Sequence, residues 1–360
     1  MTATAPDRAR AYETPAPFGR SFRGFTGRAA MFLVAVGILS AFVMPLAYMT
    51  LTALKDQSQA ADPAAPLYPA SPRTFDYEGQ PLQIYEVPID GAVRELAVVE
   101  KGRESSLMID PADVAAGPFA WQGRWRALQP AYVFDPKVEN FAIVWNELEF
   151  PKLLRNTAII AVLSTIGAVA SAICVAYGFS RFRFRFRGPL FLVLLSTIML
   201  SAQVTLVPTY ILFTRLGWSG TWLPLIVPHF FANAYNVFLL RQYFLTIPQD
   251  LDEAAMIDGA GPLRILRSVI VPQAVPAIVA VTLFHFFFAW NEFLMSLVYV
   301  GGNPDLWPLS LGMQKFASLF VTRPPLVQAS AILAIIVPVV VFFLSQRAFM
   351  RGVVVTGVDK

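Results

Sequence analysis

Six stretches of at least 23 residues without a single Asp, Glu, Lys or Arg constrain the fold more than any other feature of this sequence. A helix of about 20 residues crosses a hydrocarbon core about 30 Å thick, so each stretch is long enough for a membrane span. Only helices and closed barrels satisfy their backbone polar groups in lipid, and barrel strands are about 10 residues long with alternating polarity. The sequence therefore predicts an all-α membrane protein with six transmembrane helices, at 29–54, 156–179, 188–214, 216–240, 268–291 and 324–346.

The overall composition agrees with a membrane protein. The chain has 360 residues, of which 56% are hydrophobic and 14% charged, whereas an ordinary soluble domain has about 25% charged residues. The first uncharged stretch exceeds the apolar core of about 7 to 15 residues in a signal peptide and lacks a small-residue cleavage site, so we expect an uncleaved span. The single cysteine, Cys174, lies within the second predicted span and cannot form an internal disulfide.

Arginines near the span ends predict the orientation, because Lys and Arg are enriched in cytoplasmic loops. Five arginines precede the first span, and RFRFRFR at 181–187 connects the second span to the third, whereas only Arg215 separates the third from the fourth. Both termini and the connection between spans four and five are therefore predicted to be cytoplasmic. These arginines account for the net charge of +4, and the RFRFRFR run is too short a turn for a nucleic-acid-binding stripe.

The predicted spans divide the chain into regions with different expected surroundings. These regions are a cytoplasmic tail at 1–28, an extracytoplasmic insertion at 55–152, spans two to six at 153–346, and a second cytoplasmic tail at 347–360. Within the insertion, a Pro- and Ala-rich tether precedes residues 74–110, which alternate apolar and polar side chains and carry turn residues at Asp90-Gly91 and Lys101-Gly102. This pattern predicts a small β-meander.

A group of aromatic residues follows the predicted meander: Phe119, Trp121, Trp125, Tyr132 and Phe134. A small β-domain needs large side chains to form a core, and Trp and Tyr also anchor proteins at lipid head groups. We therefore expect packing or anchoring from these residues. Stacking on a sugar ring is the alternative.

Polar side chains inside the spans are few, and five of them are candidates for lining a translocation pathway: Gln203, Asn233, Asn236, Asn291 and Glu292. A carboxylate in the bilayer costs about 3 kcal/mol or more, so Glu292 needs a partner, an aqueous cavity or a place near the interface, and interfacial placement is the alternative to a pathway role. Asn233 and Asn236 are spaced i, i+3 and are expected to share a helix face. His229 and His285 have no Cys, Asp or Glu at ligand spacing, so no metal site is predicted.

Several predicted spans contain proline, at Pro45, Pro208, Pro224, Pro228, Pro276 and Pro338. Each proline removes a backbone donor and tends to kink its helix. Such kinks suit a pathway that opens alternately to the two sides. The alternative is ordinary tolerance, since proline is commoner in membrane helices than in soluble ones.

The connection between spans four and five, at 248–272, differs from the apolar segments around it. Pro248 and the acidic residues that follow favour a helix start, Gly259 is expected to end that helix in a left-handed conformation, and Pro262 to open a second helix leading into span five. A membrane-surface helix would need large apolar residues on one face, whereas here Leu251, Ala254, Ala255 and Asp258 share a face that is too small and too acidic. The segment therefore predicts a two-turn cytoplasmic helix that fits closely into a cleft of a partner protein.

Three motifs of this chain resemble those of one transporter family. Glu253-Ala254-Ala255, three residues, Gly259, nine residues and then VIVP resembles the EAA loop of permease subunits in binding-protein-dependent ABC importers, with Val where that pattern has Ile and Leu. AWNEF at 289–293 resembles a segment of the carbohydrate branch, the MalG-like permeases, and the QRAFMRG ending resembles the tail of the same subunits. The resemblance covers the first span and residues 135–360, and the long outer insertion departs from it.

The resemblance implies a type I ABC importer permease fold in the bacterial cytoplasmic membrane. It implies that Glu253, Ala254, Ala255, Asp258 and Gly259 contact an ATPase subunit as a coupling helix. The implied partners are an ABC ATPase dimer, a second permease subunit similar to MalF, an extracytoplasmic solute-binding protein and membrane lipid, without nucleic acid. The chain contains no Gly-Lys pair and hence no P-loop, so ATP and Mg²⁺ would be bound by the ATPase, with no cofactor on this non-catalytic subunit.

The sequence thus favours a permease subunit that imports a sugar or related polyol. One alternative keeps the architecture but carries an amino acid, a peptide or an anion. A second is a membrane receptor in which residues 55–152 bind a ligand. The receptor does not account for the EAA loop, and the spans contain no carboxylate pair, metal cluster or nucleophile–base pair that would indicate an enzyme.

Overall fold

The computed structural model describes residues 17–89, 92–317 and 322–354. The Asp90-Gly91 turn, residues 1–16 of the first predicted tail and residues 355–360 of the second lie outside the described residues. The described helices are α1 Pro17–Ala53, α2 Gln57–Ala61, α3 Glu139–Glu147, α4 Phe150–Arg181, α5 Arg187–Ser196, α6 Ala202–Arg215, α7 Leu223–Ile226, α8 Ala234–Thr246, α9 Asp250–Ile257, α10 Pro262–Ile265, α11 Val271–Gln273, α12 Val275–Trp290, α13 Leu294–Val300, α14 Leu309–Gly312 and α15 Pro324–Val354.

The described strands are β1 Ala70–Pro72, β2 Thr74–Tyr77, β3 Gln80–Ile89, β4 Ala92–Glu100, β5 Ser105–Ile109, β6 Phe119–Gln122, β7 Gln129–Pro130 and β8 Tyr132–Phe134. The chain divides into two compact units, Met1–Leu51 and Thr52–Lys360. In the first unit, α1 begins twelve residues before the predicted span, at Pro17. Its apolar side chains are exposed, for example Met31 at 74% and Phe42 at 76%, as expected of a helix whose solvent is lipid.

The insertion at 55–152, which is predicted to be extracytoplasmic, contains the predicted β-meander. Strands β2, β3, β4, β5 and β6 pair antiparallel in chain order, and the predicted turn at Lys101-Gly102 falls between β4 and β5. One face buries Tyr85, Leu96 and Met108, against which Trp121 and Trp125 pack. These two tryptophans therefore serve the core of the sheet, as the packing interpretation predicts.

The sheet connects to the rest of its unit through a narrow pair of strands. Strands β1 and β8 pair antiparallel, and the amide of Arg73 donates to the carbonyl of Ala131 at 2.7 Å. The hydroxyl of Tyr132 donates to the carboxylate of Asp62 at 3.1 Å. Entry to and exit from the meander thus lie side by side.

Helix α4 is the central helix of the membrane region. Small side chains at Ala168, Ala172 and Ala176 are fully buried, and this face packs against α8 and α12. Small residues let helix backbones approach closely, which is how membrane helices associate without a hydrophobic driving force between them. A Cβ atom on Gly167 would lie 2.4 Å from the ring of Phe230, so a larger residue at this position would have to displace that ring.

The number of continuous spans differs from the six predicted. Four described segments are long and apolar enough to cross a membrane: Arg28–Ala53, Phe150–Arg181, Leu223–Thr246 and Pro324–Arg347. Two more qualify only as bent pairs, Arg187–Met199 with Gln203–Arg215 at 101° and Pro262–Gln273 with Val275–Trp290 at 82°. The described residues therefore give four spans, or up to six if each bent pair is one span.

The bends have local causes that hydropathy does not report. At the first bend, Leu200 and Ser201 are extended, and the hydroxyls of Ser196 and Thr197 donate to carbonyls one turn back. Such back-bonding competes with the helical ladder. At the second bend, Pro276 lacks the amide that would continue the helix across Ala274. Residues 268–273 belong to the helix before this bend, so the segment predicted as span five, 268–291, is not a single straight helix.

Candidate coupling loop and membrane cavity

Helix α9 forms the first half of the predicted coupling loop. Its first turn carries Asp250, Asp252 and Glu253, whose charges favour the positive end of the helix dipole. The N-cap residue, Gln249, makes no side-chain hydrogen bond to the helix, so the acidic residues favour the helix start through their charge. The two-turn length is as predicted.

Gly259 ends α9 in the predicted left-handed conformation, with φ of +78°. Its amide donates to the carbonyl of Met256 at 3.0 Å, and the amide of Ala260 donates to that of Ala255 at 2.9 Å. This pair of bonds is a Schellman motif, which needs a positive φ that glycine adopts without steric cost. The chain then turns directly into α10, and a continuous helical segment runs from Pro262 through a π-helical stretch at Leu266–Ile270 to Gln273.

The loop presents an apolar surface framed by acidic residues. Glu253, Ala254, Asp258 and Gly259 are exposed, as a contact surface requires, whereas Ala255 is half-buried against the core of α4 and α8. The largest exposed side chains lie beside these positions: Met256 at 55%, Ile257 at 87% and Leu263 at 80%. They are not selected from the sequence, although Met256 and Ile257 are adjacent apolar residues in a segment that is predicted to be cytoplasmic. Exposed apolar groups of this size on a loop indicate a protein contact.

The opposite side of the loop is fixed by a buried ion pair. The carboxylate of Asp252 lies 2.8 Å from Nε of Arg181, the last residue of α4, and the two side chains are 10% and 6% exposed. Burial raises the pKa of the Asp252 carboxyl, and the charge of Arg181 opposes that shift. From the sequence, Arg181 is predicted only to help set the membrane orientation. The structure instead places it inside the protein.

A cavity of about 230 Å³ lies in the membrane region, toward the end of α4 that is remote from the coupling loop. Its polar lining residues are Thr205, Thr209, His229, Glu292 and Tyr299, on otherwise apolar walls that include Ile160 of α4 and Phe288 of α12. Oε1 of Glu292 accepts the amide of Met295 at 2.9 Å, and the hydroxyl of Tyr299 donates to Oγ1 of Thr209 at 3.3 Å. The carboxylate thus has both a backbone partner and a cavity, two of the three environments expected for it.

Two histidines that sequence reasoning treated as isolated meet in this region. The rings of His229 and His285 are 4.9 Å apart between centroids and nearly perpendicular. Nδ1 of His285 is 3.3 Å from Nδ2 of Asn236, which is 3% exposed. A chain of three polar side chains therefore leads from the interior of α8 to the cavity wall. Their separation along the sequence hides this contact.

The five predicted pathway residues do not converge on the cavity. Glu292 lines it, and Asn236 approaches it through His285. Asn233 is the N-cap of α8, where its side chain accepts the amide of Tyr235 at 2.9 Å. Its Oδ1 also accepts the amide of Asn236 at 3.3 Å, so Asn233 caps the helix that begins at Ala234 and is not among the residues that line the cavity.

Gln203 and Asn291 also lie apart from the cavity lining. Gln203 is exposed beside the bend before α6 and accepts the hydroxyl of Ser201. Asn291 directly follows the last residue of α12, and its side-chain nitrogen, Nδ2, donates to the carbonyl of Phe287 at 2.8 Å. Both residues satisfy local backbone or side-chain groups. Thr209, His229 and Tyr299 line the cavity in their place. From the sequence, His229 is considered only as a metal ligand, and Thr209 and Tyr299 do not stand out from ordinary packing residues.

Residues 165–355, which include the coupling loop and most of the cavity lining, match the family described as "Binding-protein-dependent transport system inner membrane component". The chain belongs to this family. It is 32% identical over 239 residues to the osmoprotective compounds uptake permease protein GgtD of Synechocystis sp., covering 66% of this chain and 79% of the relative. It is 36% identical over 207 residues to the sn-glycerol-3-phosphate transport system permease protein UgpE of Rhizobium meliloti, covering 57% and 73%.

A solved structure shows the same fold. The chain superposes with a TM-score of 0.62 and 20% identity on a chain of a bacterial ABC transporter involved in the import of the acidic polysaccharide alginate, covering 93% of this chain and 100% of that one. The family match and the named relatives, together with this fold, make the protein an ABC importer permease subunit, a non-catalytic membrane component. The resemblance inferred from the EAA loop is confirmed.

Proposed function

We propose that this permease forms one half of a paired translocation unit that imports a sugar or related polyol by alternating access, driven by a separate ABC ATPase dimer. An extracytoplasmic solute-binding protein delivers the solute, and a second permease subunit completes the pathway. Both termini face the cytoplasm of the bacterial inner membrane. ATP and Mg²⁺ are held by the ATPase, and no cofactor is assigned to this chain. Each ligand has to bind one global state better than the other, since otherwise it shifts no equilibrium.

The shape of the coupling loop is the observation that carries this proposal. A two-turn helix ends at Gly259, exposes Glu253, Ala254 and Asp258, and places Ile257 and Leu263 at its tip. Its other side is locked to α4 by the ion pair of Arg181 and Asp252. A convex apolar surface on a rigid base fits a cleft in a partner protein. An ATPase subunit that changes shape on binding ATP is the partner we assign to it.

The solute class rests on the names of similar proteins. The relatives that match over most of their length are named for osmoprotective compounds and for sn-glycerol 3-phosphate. A phosphorylated polyol is also an anion, so the anion alternative stays within the test. The cavity described above has one carboxylate, two hydroxyl-bearing threonines, a tyrosine and a histidine, groups that hydrogen-bond to hydroxylated solutes.

The first experiment tests the assembly. Tagged protein is purified from native membranes in mild detergent, beside Gly259→Asp and Gly261→Asp variants. The unaltered chain is expected to bring down a P-loop ATPase and a second multispan subunit. Gly259→Asp strains a position with φ of +78°, whereas Gly261 has φ of −73° at a helix N-cap, a place that aspartate favours. If Gly259→Asp loses the ATPase and Gly261→Asp retains it, the loop is supported as the contact with the ATPase.

A second experiment tests the solute. Uptake of radiolabelled sn-glycerol 3-phosphate, a neutral disaccharide, glycine betaine and an amino acid is measured in cells with and without the chain. Uptake of either of the first two that depends on the chain supports the proposal. Dependence confined to the amino acid or to glycine betaine moves the protein to another solute class. A chain that purifies alone and alters no uptake contradicts the importer proposal.

A further inference from the structure

The last turn of α4 holds both sides of the coupling loop. Arg181 pairs with Asp252 in α9 at 2.8 Å, and one of its terminal nitrogens donates to the carbonyl of Ile247, just before the loop, at 2.8 Å. The hydroxyl of Tyr177 donates to the carbonyl of Pro262, where the second loop helix begins, at 3.2 Å. The end of α4 is thus bonded to residues on both sides of the turn at Gly259, Ile247 and Asp252 before it and Pro262 after it.

Burial makes this attachment costly to break. An exposed ion pair contributes little, but removing one partner of a buried pair leaves a charge without compensation. Arg181 and Asp252 are both about nine-tenths or more buried, while Arg183 and Arg185 two and four positions later are exposed. The planar guanidinium reaches a carboxylate and a carbonyl at once, which a lysine does less well. Burial therefore distinguishes Arg181 from Arg183 and Arg185 of the same run.

Helix α4 continues from this attachment to the membrane cavity without interruption. Its 32 residues run from Phe150 to Arg181, and Ile160 lines the cavity wall. The 21 residues between Ile160 and Arg181 span about 31 Å at 1.5 Å per residue. A continuous helix transmits a displacement at one end to the other because its backbone bonds are all internal.

The other two helices that flank the loop are less direct connections. Helix α8 begins at Ala234, and the residues that line the cavity from its side, Pro228 and His229, lie in a separate 3₁₀ helix beyond an extended segment. Helix α12 reaches the cavity at Phe288, but an 82° bend separates it from the second loop helix. Among the described helices that touch both loop and cavity, α4 is the one with no break between them.

We propose that Arg181 is a positioning residue that couples movement of the loop to α4 and so to the cavity, through its ion pair with Asp252. This inference rests on the proposed function, since it assumes that an ATPase moves the loop. Arg181 touches neither nucleotide nor solute. Its removal leaves the docking surface in place but disconnects that surface from the pathway.

The test uses the complete detergent-purified complex reconstituted into lipid nanodiscs. The parent chain carries Cys174→Ser and Phe288→Cys, which leaves one thiol in the cavity wall, since the chain has a single native cysteine. The rate of labelling by a membrane-impermeant maleimide is compared between the nucleotide-free complex and the complex trapped with ADP and vanadate. Co-purified ATPase, basal ATP hydrolysis and melting temperature are measured in parallel.

The variants separate coupling from folding. Arg181→Gln leaves a buried carboxylate unpaired and risks misfolding, so Asp252→Asn and the doubly neutral Arg181→Gln/Asp252→Asn are made as well. Arg181→Lys keeps the positive charge but removes the planar guanidinium that reaches the carboxylate and the carbonyl together. Arg183→Gln removes an exposed arginine two positions away and serves as the matched control.

In the parent and in Arg183→Gln, trapping is expected to change the labelling rate at least fivefold. In the doubly neutral variant the ATPase stays bound and hydrolyses ATP, while the change in labelling falls below twofold, and Arg181→Lys gives an intermediate value. A parental response from the doubly neutral variant overturns the proposal. So does loss of the ATPase from both Asp252→Asn and the double variant, because Arg181 would then only shape the docking surface. An ATPase absent from the parent itself overturns the importer assignment and this inference with it.

Discussion

The coupling loop takes its shape from neighbouring residues, whereas the membrane cavity is assembled from elements spread between Ile160 and Tyr299. In the loop, a glycine with positive φ, an acidic first turn and two prolines act within one short segment. In the cavity, each polar residue is surrounded in sequence by apolar ones and acquires its neighbours through packing. The comparison teaches that a local backbone device is recognisable from spacing alone, while a site built by helix packing is not.

The tip of the coupling loop gives the largest expected effect. Ile257→Asp places a charge where 87% of an apolar side chain is exposed, so folding should be unaffected while ATPase association falls at least tenfold. Co-purified ATPase is quantified against the permease. Val93→Asp, at an outer-sheet residue 68% exposed, is the matched control and should retain the parental ratio. Equal losses from both variants would show that the loop tip has no special role.

The β-meander provides a second test of the comparison between regions shaped by neighbouring residues and the cavity assembled by helix packing. We expect the meander to dock the binding protein or cap the outer mouth. Its entry and exit are adjacent, since the amide of Arg73 bonds to the carbonyl of Ala131, so residues 74–130 can be replaced by a short glycine linker. Uptake of the solute identified by the panel above should fall several-fold, with the ATPase still bound. Unchanged uptake would refute this role for the meander.

The same difference between local structure and helix packing explains which regions could be predicted from the sequence. The meander, the two-turn helix and the left-handed Gly259 were predicted because alternation, helix-terminal residues and glycine have effects over a few positions. The break at Ala274 was not predicted, because hydropathy gives the length of an apolar segment but does not show whether its helix bends. Arg181 was assigned only a topological role, because nothing in RFRFRFR shows which arginine meets Asp252 seventy-one positions later.

The pathway candidates show the limit most clearly. Selecting polar residues in predicted spans found Glu292 and also Asn236, which reaches the cavity lining through His285 and His229. The same selection included Asn233, Gln203 and Asn291, which satisfy local groups. Polar side chains at helix ends often cap or bond to nearby backbone. Distinguishing a capping residue from a cavity residue requires the position of the helix end, which is the least predictable part of an element.

Glu292 and Asn291 provide the matched pair that sharpens this distinction. Glu292→Ala removes a carboxylate that lines the cavity and accepts the amide of Met295, so uptake is expected to fall about fivefold, which corresponds to about 1 kcal/mol. Asn291→Ala removes an exposed side chain that bonds to the carbonyl of Phe287, and uptake should change less than twofold. Initial rates of uptake at equal permease levels are the measurement. A larger effect at Asn291 would reverse the assignment of the two residues.

The smallest expected effect concerns the packing that creates the cavity. Gly167 and Gly178 lie in the same helix, α4, but a Cβ atom at Gly167 would lie 2.4 Å from the ring of Phe230, whereas one at Gly178 meets nothing within 4 Å. Gly167→Ala should therefore destabilise the protein by about 1 to 3 kcal/mol through overpacking. Gly178→Ala should instead stabilise the helix by up to about 1 kcal/mol, because alanine has the higher helix propensity. Melting temperatures in detergent measure both.

Because Phe230 follows His229 in the chain, the displaced ring should also disturb the histidine pair, so Gly167→Ala should slow uptake while Gly178→Ala does not. Melting temperatures that rise for both variants would show that Phe230 yields freely and that this contact does not shape the cavity.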